Sequence, residues 1–273
     1  PSGAGSARPS KPPSVPTSSA PRPIVDWIGS FLDHGSLSHV NRELTRAFQA
    51  LPGVDVRCVA SSTSPASKSS PEWKVEAARL AFSSSATASV TVRHAWPPQW
   101  DRPRNGALVV IQPWEFGSLP RQWVQDLAQV DEVWIPSEYV RRVFVDSGVP
   151  EQKVVVVPNG IDPARFHPDV PAVPLATRKR FKFLFVGGTI FRKGPDLLLE
   201  AYLSRFTAAD DVCLVIKDFG GQTAYSGQTF EQSIRAAQAL PNAAEILYIN
   251  EEWSPALIPG LYTACDCLVH PYR

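Results

Sequence analysis

The stretch FVGGTIFRKGPDLLLEAY, residues 185–202, runs from the end of an apolar strand through paired glycines, two cations and a proline into a helix. A helix N-terminus exposes unpaired N–H groups and carries the positive end of the helix dipole, so a turn of this build favours an anion, and phosphate is the usual guest. Gly187 and Gly188 let the backbone approach a ligand, Pro195 suits the first helical position, and Arg192 and Lys193 stand where they could reach an anionic group. The spacing matches neither of two common phosphate devices. There is no Walker pattern, G-x-x-x-x-G-K-[ST], and the next glycine after Gly187 and Gly188 is Gly194, which does not complete the G-x-G-x-x-G dinucleotide fingerprint. Taken alone, the stretch also fits a plain strand-to-helix connection with a solvated Arg-Lys pair.

The pattern of elements gives the turn its context. Near the N-terminus IVDWIGSFL, residues 24–32, reads as a strand, followed by Gly35-Ser36 and a helical pattern at Val40, Leu44, Phe48 and Leu51, with Ser38 as its N-cap. The same strand, glycine turn and helix therefore occurs near both ends. Further strands read at 54–60, 88–96, 107–114, 132–137 and 154–159, with helical stretches at SLPRQWVQDLAQV and SEYVRRVFVDSG, where Ser137 and Glu138 read as cap residues. Residues 159–180, rich in proline and without a clear period, read as an interdomain linker. Then the alternation restarts: a strand in FKFLFVGG, a helix from Pro195 to about Phe206, VCLVIKDFG, a helix over 230–240, AEILYIN, a short helix after Trp253, and DCLVHPY. Strands that are continuous apolar runs, alternating with helices, argue for parallel sheets covered on both faces. The division is thus a Pro/Ser-rich tail at 1–23, a Rossmann-like unit at 24–158, the linker at 159–180, and a second Rossmann-like unit at 181–273. Ligands of such sheets sit at the carboxyl ends of the strands, and in a tandem arrangement both sets of ends can face one cleft.

Composition narrows the partners. At 273 residues with 44% hydrophobic content the chain can hold two cores, and no apolar run approaches the ~18 residues of a membrane span. No signal-type segment is present, so the default location is cytoplasmic, on the inner face of any membrane it serves by peripheral association. A formal charge of +1 gives no reason to propose nucleic acid as partner. Cys58, Cys213, Cys265 and Cys267 form no CxxC pair and have no zinc-type histidine spacing, so they read as reduced, mostly buried thiols, and no metal is expected. The first 23 residues hold seven prolines and six serines with no acid, a composition that buries no core and reads as disordered.

At three places the chain resembles the GT-B glycosyltransferases, and within them glycosyltransferase family four. PSEYVRRVFVDSGVPEQKVVVVPNGIDPARFHP, residues 136–168, is close to the interdomain signature of that family. FLFVGGTIFRKGPDLLLEAY is similar to the opening of its donor-binding domain, and LIPGLYTACDCLVHPYR to the segment before its glycine-rich loop. The resemblance covers roughly residues 24–273. It implies an α/β fold with two Rossmann-like domains facing a cleft, and transfer of a sugar from a nucleotide-sugar co-substrate to a glycan, glycolipid or protein acceptor. It further implies retained configuration, no obligatory metal and no other cofactor. The turn at 187–194 would then hold the donor diphosphate, with Lys193 at the place of the family's diphosphate lysine. Where the family has an arginine five residues earlier this chain has Gly188, and Arg192 is the available substitute. Lys217 and Asp218, ending the next strand, are placed to face the cleft, or form a solvated strand end. In the first unit Gly35 and Ser36 match the family's glycine turn, and His39 beside them could contact acceptor or phosphate. Trp114 and Glu115 replace a His-Glu pair; Glu115 either accepts from a sugar hydroxyl or caps the helix that follows. His94, in VRHAWPP, is the best other polar candidate for catalysis, beside the plainer reading of a satisfied structural histidine, and His34, His167 and His270 have weaker claims. Trp96, Trp100, Trp114 and Trp123 suggest sugar stacking, though aromatic residues are more often core.

The sequence ends at HPYR, where the family continues into a glycine-rich turn and a Glu-x7-Glu pair, so the chain reads as a fragment of a longer transferase, with an incomplete second domain and weak or no activity of its own. The alternative is a truncated or degenerate GT-B protein that binds nucleotide-sugar or a partner without turnover.

Overall fold

The computed structural model describes residues 22–32, 35–61, 85–219 and 225–273. Two fully parallel sheets organise it. The first has six strands, β1 (Ile24–Gly29), β2 (Asp55–Ala60), β3 (Val90–His94), β4 (Ala107–Ile111), β5 (Glu132–Ile135) and β6 (Val154–Val156), in the order β2-β1-β3-β4-β5-β6. The second has four, β7 (Phe181–Val186), β8 (Val212–Lys217), β9 (Glu245–Ile249) and β10 (Cys267–Leu268), in the order β10-β7-β8-β9. Among the described residues six helices accompany them: α1 (Ser36–Gln49), α2 (Arg121–Asp126), α3 (Glu138–Asp146), α4 (Pro195–Arg205), α5 (Glu231–Gln238) and α6 (Ile258–Thr263).

Both sheets are covered on both faces, as continuous apolar strands require, because successive side chains point to opposite sides. In β4, Leu108 and Val110 join a core with Leu127, Val140 and Phe144, whereas Val109 between them joins Val25, Trp27 and Val92. In the second sheet, Phe185, Leu214 and Ile216 pack against α4 and α5 through Leu198, Tyr202 and Ile234, while Leu184, Cys213 and Val215 pack on the side of Leu261. Ser137 caps α3 as its sequence predicts, its hydroxyl accepting from the Val140 N–H at 3.4 Å. Residues 157–180 hold neither helix nor strand. They run between the units in contact with both: Arg165 lies 3.5 Å from Glu43 of α1, and the Phe166 ring meets Tyr262 of α6 edge-on.

Two expectations need correction. Helix α1 begins at Ser36 with Gly35 as its N-cap, so Ser38 is inside the first turn and fully buried, with no partner for its hydroxyl among the described residues. The chain is extended only as far as Gly35, and a hydroxyl three residues on turns inward. Of the four cysteines, Cys213 alone is buried and the other three are half-exposed, Cys267 on the two-residue edge strand β10 and Cys265 in the turn before it. The tail at 1–21, and His34, lie outside the described residues.

Candidate functional site

The register of the first sheet places Gly29, at the carboxyl end of β1, beside His94 at the end of β3. Helix α1 closes over them with a face that is polar: Ser38, Asn41, Arg42 and Thr45, at helical spacing, are its buried residues. Asn41 is the centre. Its Oδ1 accepts from Trp27 Nε1 at 2.8 Å, and its Nδ2 donates to the carbonyls of Ser30 at 2.9 Å and His94 at 3.2 Å. His94 Nδ1 lies 2.9 Å from the same Oδ1. The indole can only donate, which fixes Oδ1 as the acceptor and so puts the imidazole proton on Nδ1, leaving Nε2 with the lone pair. A side chain at Gly29 would meet Asn41 Nδ2 at 2.5 Å, so the glycine is what admits the amide. Burial lowers the His94 pKa to about 4, and the imidazole is neutral across the physiological range.

A stability consequence follows. Between pH about 6.5 and about 4 the unfolded chain takes up a proton at His94 that the folded chain does not, so stability falls as pH falls through that window, by up to about 3 kcal/mol. Urea titrations of the native chain and of His94→Gln at pH 7 and pH 4.5 should show the native chain losing more of its stability; equal losses would contradict a buried neutral imidazole.

The other members of the first glycine turn stand at the start of the same helix. Ser36 is exposed, and His39, whose N–H donates to the Gly35 carbonyl at 3.0 Å, has its pKa lowered chiefly by burial. Neither is drawn into the Asn41 network.

In the second sheet, β7 gives way to Gly187, whose φ of +142° suits glycine and whose absent side chain makes room for Lys193; a Cβ there would stand 2.7 Å from Lys193 Nζ. Thr189 is fully buried. Its N–H and hydroxyl donate to the two carboxylate oxygens of Asp218, at 3.0 and 2.6 Å, and Tyr248 donates to Asp218 at 2.8 Å. Asp218 thereby ties the glycine turn to the end of β8 and to β9. The turn closes through Phe191–Lys193 as a short 3-10 segment into Gly194, left-handed at φ 65°, where a side chain would collide with the Pro271 carbonyl at 2.1 Å. Pro195 then opens α4.

Lys193 is half-buried under this turn. Its ammonium stands 5.2 Å from the Tyr272 ring centre and makes no hydrogen bond among the described residues. Burial first, and Arg192 second, lower its pKa. Arg192 reaches across to the first unit, where its guanidinium donates to Glu115 at 3.1 Å. Glu115 therefore does not cap a helix: α2 starts only at Arg121 behind Pro120, too far along the chain for that carboxylate. The expectation for Lys217 is also corrected. It is fully buried, neither solvated nor open to a cleft, and donates to the carbonyls of Asp218 at 3.1 Å and Glu251 at 2.8 Å with its ammonium 4.2 Å from the Phe219 ring centre. Gly188 accepts from the Ile190 N–H at 2.8 Å and carries no cation. Sequence reasoning missed Asn41, Thr189, Asp218's partner Tyr248 and the Arg192–Glu115 contact. A polar stripe at 38, 41, 42 and 45 was the one readable signal among these. No described helix is long and apolar enough to cross a membrane.

Residues 73–165 match the family model described as Glycosyltransferase Family 4; residues 73–84 of that match lie outside the described residues. Among solved structures, Alr3699/HepE of Anabaena in complex with UDP-glucose superposes with a TM-score of 0.59 at 12% identity over 91% of this chain and 74% of that one. The apo lipopolysaccharide outer core galactosyltransferase WaaB does so with a TM-score of 0.52 at 13% identity, over 91% and 74%. The N-terminal domain of trehalose-6-phosphate phosphatase of Candida albicans gives 0.53 at 9% identity, over 95% and 78%. No curated protein sequence matches the chain. At these identities the structural likeness is one of fold, and the fold is GT-B: two Rossmann-like parallel α/β units.

Proposed function

We propose that the protein is a glycosyltransferase that moves a sugar from a nucleoside-diphosphate sugar to a glycan, lipid or protein acceptor, with retention and without need of a metal at the diphosphate. The observation that carries the reading is Lys193: a half-buried ammonium with lowered pKa and no hydrogen-bonding partner among the described residues, set between a glycine turn and the start of α4. A diphosphate supplies the missing anion, accepts from the N–H groups of the turn, and has its leaving-group charge stabilised as the glycosidic bond to the donor breaks. Supporting it are the family-model match and the neighbour whose structure holds UDP-glucose. Arg192 joins the site by exchanging Glu115 for phosphate. His94, neutral with Nε2 as acceptor, and Glu115, once released, are the first-unit groups that would accept hydrogen bonds from sugar hydroxyls, while Gly35, Ser36 and His39 line the facing helix start. Lys217 supports the site from beneath, holding the ends of β8 and β9 together.

The test is calorimetric titration with UDP, GDP and their sugars, followed by donor-hydrolysis and transfer assays. Saturable binding of one nucleoside diphosphate is expected, and failure of every one to bind would remove the reading. Glu115→Gln frees Arg192 from an exposed ion pair, so it should raise affinity for the bound nucleotide a few-fold while changing stability by less than about 1 kcal/mol. Lower affinity in that variant would mean the carboxylate serves the donor directly.

A further inference from the structure

The loops after β3 and β4 carry an aromatic array that the diphosphate turn does not use. Trp123, on α2, is its hub: the ring centres of Trp114, Trp100 and Trp96 lie 4.7, 5.6 and 5.8 Å away at steep interplanar angles, and Phe116 meets Trp114 edge-on at 5.1 Å. Trp100, Trp114 and Trp123 are rooted on the core beneath α2 and α3. Trp96 and Phe116, by contrast, are 59% and 65% exposed. Rings wedged by other rings lose little freedom when something stacks on them, and a connected aromatic surface left open to water marks a binding face more often than chance.

Its place identifies the guest. Both loops leave the carboxyl ends of their strands, and Glu115, between Trp114 and Phe116, is the residue that touches Arg192 beside Lys193. The array therefore borders the side of the first unit that meets the anion turn. Two of the buried side-chain polar atoms without partners among the described residues, Arg93 Nε and Gln112 Oε1, belong to these same strand ends. Exposed carboxylates at Asp101 and Glu115 accept from hydroxyls and repel an anionic lipid surface.

We propose that this array is the acceptor platform of the enzyme and that it binds a pyranose-based saccharide, whose C–H face lies on Trp96 and Phe116 while its hydroxyls meet the neighbouring polar groups. Its role in a reaction rests on the transferase reading; binding of the saccharide does not.

The full chain is titrated with maltohexaose, cellohexaose and chitohexaose, followed by tryptophan emission and ligand-observed NMR. At least one should bind, with affinity reduced about tenfold in Trp96→Ala and in Phe116→Ala, as expected for loss of an exposed aromatic anchor. UDP affinity should be unchanged in both variants, and Lys193→Ala should bind the saccharide normally. No binding of any of the three below about 10 mM overturns the proposal, as does equal affinity in the two folded variants. Trp96-dependent sedimentation with phosphatidylserine vesicles in place of saccharide binding also overturns it, in favour of a membrane face. Saccharide binding without UDP binding leaves the platform standing and removes the transferase reading instead.

Discussion

Lys193→Ala should weaken binding of the nucleoside diphosphate proposed for this turn by about tenfold to a hundredfold while leaving the fold intact. The size comes from the chemistry of the contact: a hydrogen bond to a charged partner contributes about 1.5–3 kcal/mol, and about 1.4 kcal/mol is tenfold in affinity. The ammonium is already half-desolvated under the Gly187 turn, with Arg192 beside it further disfavouring its charge. A phosphate arriving there relieves both penalties. Because Nζ hydrogen-bonds no described residue, its removal costs only the ring contact with Tyr272 among the described residues, and the melting temperature should move little. Lys193→Arg is not expected to rescue in full, because a planar guanidinium is larger than the ammonium that lies against Gly187. Unchanged UDP affinity in a folded Lys193→Ala protein would remove the diphosphate from this turn.

Much of this architecture was legible because the strands are apolar runs and the helices carry clear starts. Ser137 announced α3, Pro195 announced α4, and Gly187 and Gly194 marked two positions that do require glycine. The site was legible in part. Lys193 was readable since a cation beside a glycine turn has few structural uses. Lys217 was misread because a lysine at a strand end normally points to water, whereas here the carbonyls of Asp218 and Glu251 hold it inside. Helix α1 was misread for a related reason. Its pattern at Val40, Leu44 and Phe48 is real but only half-buried, and the fully buried stripe is polar because it faces strand ends, where carbonyls and an indole N–H need partners. Contacts between sequence-distant polar groups, such as Arg192 with Glu115, leave no periodic trace in the sequence at all.

The largest expected loss of stability follows from that stripe. Asn41→Ala removes four hydrogen bonds at once, orphaning Trp27 Nε1, His94 Nδ1 and the carbonyls of Ser30 and His94. Each buried group left unpaired costs about 1–3 kcal/mol, so a loss on the order of 3–6 kcal/mol is expected from the urea midpoint. That is a large part of the roughly 5–15 kcal/mol that holds a domain together. Asn41→Asp separates the hydrogen bonds from the packing. It retains the oxygen that Trp27 and His94 face, but sets a second carboxylate oxygen against two carbonyls and gives His94 an anion to pair with. The His94 pKa should then rise from about 4, shrinking the stability lost between pH 6.5 and pH 4 even as stability at pH 7 drops. Lys193 sits on the other sheet, so both variants, where folded, should still bind the proposed nucleoside diphosphate while the proposed sugar transfer fails, because the strand ends carrying Ser30 and His94 are no longer tied. A loss below about 1 kcal/mol in Asn41→Ala would mean that water replaces the amide, and that something else fixes those strand ends.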